Sequence, residues 1–465
     1  MTKDIGENRG RYVYAVDRRE VIKDRKRLIL DAAQNAGLPA PIVVAIVSDA
    51  KQAKHATSSV STQIAELPKL YANVDHVVAI ITHKGMMLSD HSAFDGWEIV
   101  IDEDPVMFTS ETWNSRASVG HFREFYSLSP FEGELSRIQP YPGAPSVNDY
   151  RADTQISDMA EFRRLTEHST VLTTEPDWEG VKAGKRWTWF DQWNLLALSA
   201  YKRVRIVANA FDERLNHRIH TELFPQIQFV SMRLAGQTPV WLPRKVTINF
   251  FTDEHQATSA FFATDEGKAY RDAAAAWIAY NMGSKTHHYW VANVKFTPKV
   301  KIDGERHSPK VAGLNSLRHC DKVSILYTAK GSNEEVGTIS KLTGLHTEEA
   351  REIVARDRER EDLVQIVLRS SLRDPINTQD VTVTVYDKTQ ATFLKDFLER
   401  SGYGCAGLVT LNHVDIGTNQ RTNRQKSGPK VTGTAKTRSE INADYYAKTK
   451  AERGSTRSRG RPKKV

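Results

Sequence analysis

Apolar residues in this chain gather into short runs. Arg11–Val16, Ile42–Val47, His76–Thr82 and Gly96–Ile101 each hold three or more consecutive apolar positions. Such runs are too short for a helical stripe and too continuous for a sheet with one wet face, so they predict buried strands of a parallel sheet. Between the first two, Arg18–Asn35 places Val21, Ile22, Leu28 and Leu30 along a polar stretch, which predicts a helix capped by Asp17. A polar stretch with Thr57, Ser58, Ser59 and Ser61 leads into a short predicted helix near Gln63–Leu67, closed by Pro68. Strands alternating with helices predict a doubly wound α/β domain.

From Pro105 to about Lys202 the pattern loosens. Tyr141-Pro142-Gly143-Ala144-Pro145 is a turn cluster, and Asp158–Glu167 reads as a helix. Trp178, Trp187, Trp189 and Trp193 then fall close together beside Lys182, Lys185 and Arg186. This fits either a stacking platform for single-stranded bases or an aromatic mini-core, the second being favoured because aromatic residues dominate cores. A strand follows at Arg203–Ala208. After Pro225 a second set begins, with strands at Lys245–Phe250, Tyr289–Val294, Lys322–Tyr327 and Val381–Tyr386 and helices at Asp265–Tyr280, Glu348–Arg356 and Gln390–Arg400. The expected organisation is a first lobe over residues 1–222 with an insertion at about 106–200, a second lobe over 223–416, and a tail over 417–465.

Composition adds the character of that tail. The whole chain carries +8, but residues 417–465 hold 14 Lys/Arg against 3 acids, so the rest is slightly acidic. Few apolar residues and many Lys, Arg, Thr, Ser and Gly predict disorder there. A basic tail on a near-neutral body points to an anionic polymer, nucleic acid above all. Only Cys320 and Cys405 occur, which excludes a disulfide framework and a cysteine zinc site and fits a reducing cytoplasm. The N-terminus lacks the apolar segment of a signal peptide, and no apolar run is long enough to span a bilayer.

Chemistry concentrates where the fourth run ends. Ile99-Val100-Ile101 leads straight into Asp102-Glu103-Asp104-Pro105. Ligands of open α/β sheets bind at the carboxyl ends of strands, so Asp102 and Glu103 are expected at the lip of a cleft, with Pro105 ending the ladder. Two acids there suit nucleotide hydrolysis, one holding Mg2+ on the phosphates and the other orienting or activating water. A strand ending in solvated acids is the plainer alternative. In the second half, Gln365-Ile366-Val367-Leu368-Arg369-Ser370-Ser371-Leu372-Arg373 precedes a strand. If helical, it sets Arg369 and Arg373 about one turn apart, able to reach one groove and a γ-phosphate; the alternative is a solvated face with salt-bridged arginines.

The order Thr82-His83-Lys84-Gly85, Asp102-Glu103-Asp104-Pro105, Ala208-Asn209-Ala210-Phe211, Gly313-Leu314-Asn315 and Gln365…Arg369…Arg373 resembles superfamily 2 helicases of the DEAD/DEAH-like group, most nearly the divergent phage and mobile-element type. The resemblance covers roughly Arg11 to Phe397. It implies two RecA-like, P-loop-NTPase-type lobes and an ATP-dependent helicase or translocase using ATP and Mg2+. Asp102 would coordinate the Mg2+, and Glu103 would act as base toward water. Gln365, Arg369 and Arg373 would sense phosphates, and Asn209, Gly313 and Asn315 would couple hydrolysis to movement. Thr82, Lys84 and Gly85 would lie on the nucleic-acid backbone. The two arginines are four apart where the family has three, and Leu368 stands where it favours glycine. No Gly-x-x-x-x-Gly-Lys-Ser/Thr loop occurs. The expectation is therefore that Met1 is an internal start with the loop encoded upstream, and that the chain as written binds ATP poorly. The alternative function is a non-catalytic DNA-binding protein on the same scaffold, in phage or plasmid replication or packaging.

The tail ends in Arg459-Gly460-Arg461-Pro462, which resembles an AT-hook. An extended Arg-Gly-Arg-Pro core is thin enough for the narrow minor groove of A·T tracts, whose potential attracts arginine. DNA is the expected nucleic acid. His287-His288 has no carboxylate or cysteine at ligand spacing, and no nucleophile elbow or dinucleotide fingerprint occurs.

Overall fold

The computed structural model describes residues 1–47, 59–114, 119–153, 156–157, 159–232, 239–293, 296–309 and 316–417. Residues 1–416 form one compact unit. The tail from residue 418, with its Arg459-Gly460-Arg461-Pro462, lies outside the described residues.

Four strands come first: β1 (Arg11–Val16), β2 (Ile42–Ile46), β3 (Val77–Thr82) and β4 (Glu98–Asp102). An insertion then contributes β5 (Phe108–Asn114), β6 (Tyr126–Pro130), β7 (Leu135–Pro140), β8 (Thr170–Thr174) and β9 (Arg186–Gln192). The chain returns as β10 (Arg203–Val207), giving a wholly parallel sheet in the order β10-β4-β1-β3-β2. Successive side chains on these strands go to opposite faces. Val13, Ala15, Ala79, Ile81, Ile99 and Ile101 enter one core, and Tyr12, Tyr14, Val16, Val78, Ile80 and Val100 enter another. Both faces are covered, which is why these strands read as unbroken apolar runs.

The second half repeats this logic with β11 (Val246–Phe250), β12 (His288–Ala292), β13 (Glu305–His307), β14 (Lys322–Leu326), β15 (Val381–Val385) and β16 (Val409–His413). They form a parallel sheet in the order β13-β12-β14-β15-β11-β16, again between two cores. The chain is an α/β protein with two parallel sheets, consistent with two RecA-like lobes.

The insertion is different. Its sheet is antiparallel, in the order β5-β9-β8-β7-β6. Trp178, Trp187 and Trp189 are buried with Phe122 and Phe162 in edge-to-face pairs, such as Phe122–Trp187 at 5.2 Å and Phe162–Trp189 at 5.3 Å between ring centroids. These tryptophans are therefore a mini-core and offer no ring face to a base. Trp193 leaves the group and packs into the first lobe. A further core joins three parts of the chain. Phe108, Leu135, Leu172 and Phe190 of the insertion meet Leu215 and Ile219 of the Leu215–Leu223 helix. They also meet Val336, Ile339, Leu342, Ala350 and Val354 of the helices Asn333–Thr343 and Thr347–Ala355, which lie between β14 and β15.

Three local expectations are corrected. Asp17 does not cap a helix; it pairs with Arg18 at 3.1 Å, and a 3-10 turn at Arg19–Val21 precedes the helix Ile22–Asn35. Pro68 does not close the short helix. Ser59 caps Val60–Ala65, and Pro68 sits in the first turn of Leu67–Leu70, where its missing N–H costs nothing. The Gln365–Arg373 piece is not one helix. Its α-helix ends at Val367, because the Ser370 hydroxyl donates to the Val367 carbonyl at 2.7 Å and accepts from the Leu372 amide at 3.3 Å, starting a 3-10 turn at Ser371–Arg373. Among the described residues no helix is long and apolar enough to cross a membrane.

Candidate active site

Strand β4 ends at Asp102, and the next residue turns sharply. Glu103 has φ of 72°, and Ala210, just past the end of neighbouring β10, has φ of 46°. Among the described residues these are the two non-glycine positions in the left-handed region. A side chain there is strained, and strain of this kind collects at functional sites. Both positions lie at the carboxyl ends of adjacent parallel strands. The Glu103 amide donates to the Val207 carbonyl at 2.9 Å, which holds the turn in place.

The acids at this tip are engaged from both lobes. Arg25, from the Ile22–Asn35 helix, bridges to Asp102 Oδ2 at 2.7 Å. His83 Nε2 lies 3.0 Å from the Asp102 carbonyl, and burial lowers the pKa of its ring. Glu103 Oε1 is 4.0 Å from Arg369 Nη2 of the second lobe. Loss of hydration, then the Asp102 charge, raises the Glu103 pKa, while Arg369 pulls it back. A carboxylate so poised is a better proton acceptor than an ordinary surface glutamate.

From Arg369 a chain of contacts returns to the first lobe. Arg369 donates to Gln365 Oε1 at 3.1 Å, and Gln365 Nε2 donates to Glu361 Oε1 at 2.9 Å. Glu361 Oε2 meets Arg214 Nη2 at 2.6 Å, and Arg214 donates to the Asn209 carbonyl at 3.2 Å. Asn209 thus takes part through its backbone. Beside this circuit, Asn216 donates to Asp104 Oδ1 at 2.8 Å, and the Leu215 amide donates to Asp357 at 3.4 Å. Loss of hydration, then the charge of Asp357, pushes Asp104 up to about 7.

Arg373 stands close enough to Arg318 and Arg25 that their charges, after burial, lower its pKa; Arg369 is lowered by burial and then by Arg373. In this crevice Arg25 thus pairs with Asp102 and Arg369 faces Glu103, while Arg373 and Arg318 stand close enough to this group to feel its charge or one another's. A cavity of about 900 Å³ opens beside it, lined among others by Asn209, Arg214, Arg356, Arg360, Glu361 and Lys388. Among the described residues no group of three or more His, Cys, Asp or Glu is arranged to hold a metal. Mg2+ needs only one or two protein carboxylates when it arrives with phosphates, and the adjacent Asp102 and Glu103 fit that mode.

The other expected residues are placed elsewhere. The Thr82 hydroxyl accepts from the Gly85 amide at 3.1 Å and caps the turn His83–Met87, while Lys84 pairs with Glu161 of the insertion at 2.7 Å. Gly313 and Asn315 lie outside the described residues. Sequence reasoning missed Arg25, Arg214, Glu361 and Arg318. Glu361 carried a signal, since it precedes Gln365 by four within one helix; Arg25 carried none, being one of several basic residues on a polar helix.

No protein-family model matches the chain, and no curated protein matches it. Among solved structures it is similar to Saccharomyces cerevisiae Dbp5 bound to RNA and ADP BeF3, at 8% identity over 88% of this chain and 78% of that one, with a TM-score of 0.35. It is similar to the yeast DEAD-box splicing factor Prp28 at 7% identity, over 92% of this chain and 75% of that one, with a TM-score of 0.21. The ATP-dependent Type ISP restriction-modification enzyme LlaBIII bound to DNA gives 11% identity over 86% of this chain and 30% of that one, with a TM-score of 0.27.

Proposed function

We propose that the chain is the two-lobed body of an ATP-dependent nucleic-acid translocase or helicase, acting on DNA. The observation that carries this is the approach of Glu103, at a strained strand tip next to Asp102, to within 4.0 Å of Arg369 of the second lobe. Asp102 would hold Mg2+, which supplies charge neutralisation on the phosphates when bound. Glu103 orients water and accepts its proton at a carboxylate oxygen. Arg369 and Arg373 stabilise charge on the transferring phosphoryl group. Gln365 orients Arg369, and the Glu361–Arg214–Asn209 contacts tie the position of Arg369 to the end of β10. Thr82, Lys84 and Gly85 remain candidates for the nucleic-acid backbone, and the Arg459-Gly460-Arg461-Pro462 end for A·T-rich minor grooves.

A second reading, a non-catalytic DNA-binding scaffold, is favoured by one observation: Asp102 is already neutralised by Arg25, in a chain whose sequence holds no phosphate-cradling Gly-Lys loop. DNA-stimulated ATP hydrolysis decides between them. Glu103→Gln should lower it by roughly a hundredfold or more; no hydrolysis, or turnover unchanged in Glu103→Gln, overturns the proposal and leaves the scaffold.

A further inference from the structure

We infer that Arg25 is a phosphate-binding residue held in reserve by Asp102, released when a divalent cation takes its place on that carboxylate. The inference rests on the nucleotide reading of Asp102 and adds to it a residue that neither the acid tip nor the Gln365–Arg373 segment contains.

Arg25 reaches the strand tip from the Ile22–Asn35 helix and contacts Asp102 with one terminal nitrogen, at 2.7 Å. A guanidinium carries five donors in a planar fork. Here the Nε donor is buried and has no partner. A buried donor left unsatisfied is unfavourable, so the group is under-used where it stands. It is not sealed in, since its side chain keeps 30% of its accessible surface. Its charge is felt by Arg369 and Arg373 across the crevice, and Arg318 adds a fourth positive group. Arg25, Arg369 and Arg373 stand near the strand ends where ligands of α/β sheets bind. An anion with several oxygens, such as the terminal phosphates of a nucleotide, offers an acceptor to the unpartnered Arg25 Nε and fits the bidentate fork of arginine.

A cation that takes Asp102 Oδ2 displaces the Arg25 nitrogen, which holds that oxygen at 2.7 Å. Arg25, once displaced, turns to the phosphate that would arrive with the cation, so cation binding is coupled to phosphate capture.

Mn2+ alone, followed by electron paramagnetic resonance, and inorganic tripolyphosphate, followed by calorimetry, test this on the full chain without any turnover. Arg25→Ala should bind Mn2+ several-fold more tightly, because Asp102 loses its competitor, and bind tripolyphosphate about tenfold more weakly, the loss expected for one charged hydrogen-bonding group. Arg25→Lys should fall between wild type and Arg25→Ala. Asp102→Asn guards against misfolding of Arg25→Ala, since it removes the charge instead of stranding it. It should lose Mn2+ and gain tripolyphosphate affinity several-fold. Tripolyphosphate binding unchanged in Arg25→Ala, weaker Mn2+ binding in that variant, or no tripolyphosphate binding by wild type and Asp102→Asn alike overturns the inference. Turnover in Glu103→Gln reports on the nucleotide reading alone, so the two failures are distinguishable.

Discussion

The crevice and the insertion are assembled in opposite ways. The insertion gathers aromatic and basic residues that are close in sequence, whereas the crevice collects charges from distant stretches of the chain. In the insertion the rings turn inward and interlock, with Trp187 and Trp189 buried among Phe122 and Phe162. In the crevice the charges turn toward one another, and the backbone adopts a conformation at Glu103 that glycine would take without strain. Apolar packing defines the first region, and electrostatic convergence under strain defines the second. The difference teaches where to expect stability and where to expect chemistry: a residue that packs well explains itself, whereas strain and like charges held together call for a ligand.

Substitutions can break or sharpen that contrast. The largest effect should come from Trp187→Ala, which empties the insertion's core and costs roughly 3–5 kcal/mol, read by urea unfolding. Arg214→Ala should follow at about 3 kcal/mol, since it strands the partly buried Glu361; a crevice held only by loose surface pairing would lose far less. Asp191, on β9, is the exception inside the insertion. It is a buried carboxyl with an unpartnered oxygen, pushed up to about 7 by burial. Its folded value lies above the ordinary carboxylate value of ~3.9, so its stabilising contribution is complete below pH ~4 and is lost as pH rises to about 7. Asp191→Asn should therefore stabilise the protein by roughly 4 kcal/mol at pH 8 and by almost nothing at pH 4. A pH-independent difference between the two unfolding curves would show that Asp191 is hydrated.

Glu103→Gly should stabilise the fold by about 1 kcal/mol through release of strain, while removing any turnover; a loss of stability would mean that the Arg369 contact outweighs the strain. The smallest effect belongs to Lys84→Ala. Its pair with Glu161 is exposed, worth less than about 0.5 kcal/mol, so weaker binding of single-stranded DNA in that variant would speak for a direct contact with nucleic acid.

The two parallel sheets were legible because both of their faces are covered. Val77–Thr82 and Val381–Val385 could hardly be anything but buried strands. The antiparallel sheet was not, because β6 and β7 are mostly half-exposed and rich in Ser, Arg and Gln, leaving no strong alternation. The helix Asn333–Thr343 was missed for another reason: its apolar face is completed by residues distant in sequence, from the insertion and from the Leu215–Leu223 helix. At the crevice, the acids could be seen at a strand end and the arginines on a segment. That the segment breaks after Val367 while Arg369 still reaches Glu103 depends on the Ser370 hydroxyl, a local competition that periodicity does not report.

The core shared by Phe108, Phe190, Leu215, Leu342 and Val354 has a mechanical consequence. It rivets the insertion to a helical pair that belongs by sequence to the other half of the molecule. The pair continues through the π-helical turn Arg356–Arg360 into the helix bearing Gln365. The place from which Arg369 reaches Glu103 is therefore anchored, through one unbroken run of helix, in a core that lies on the far side of the insertion's sheet from the tryptophans.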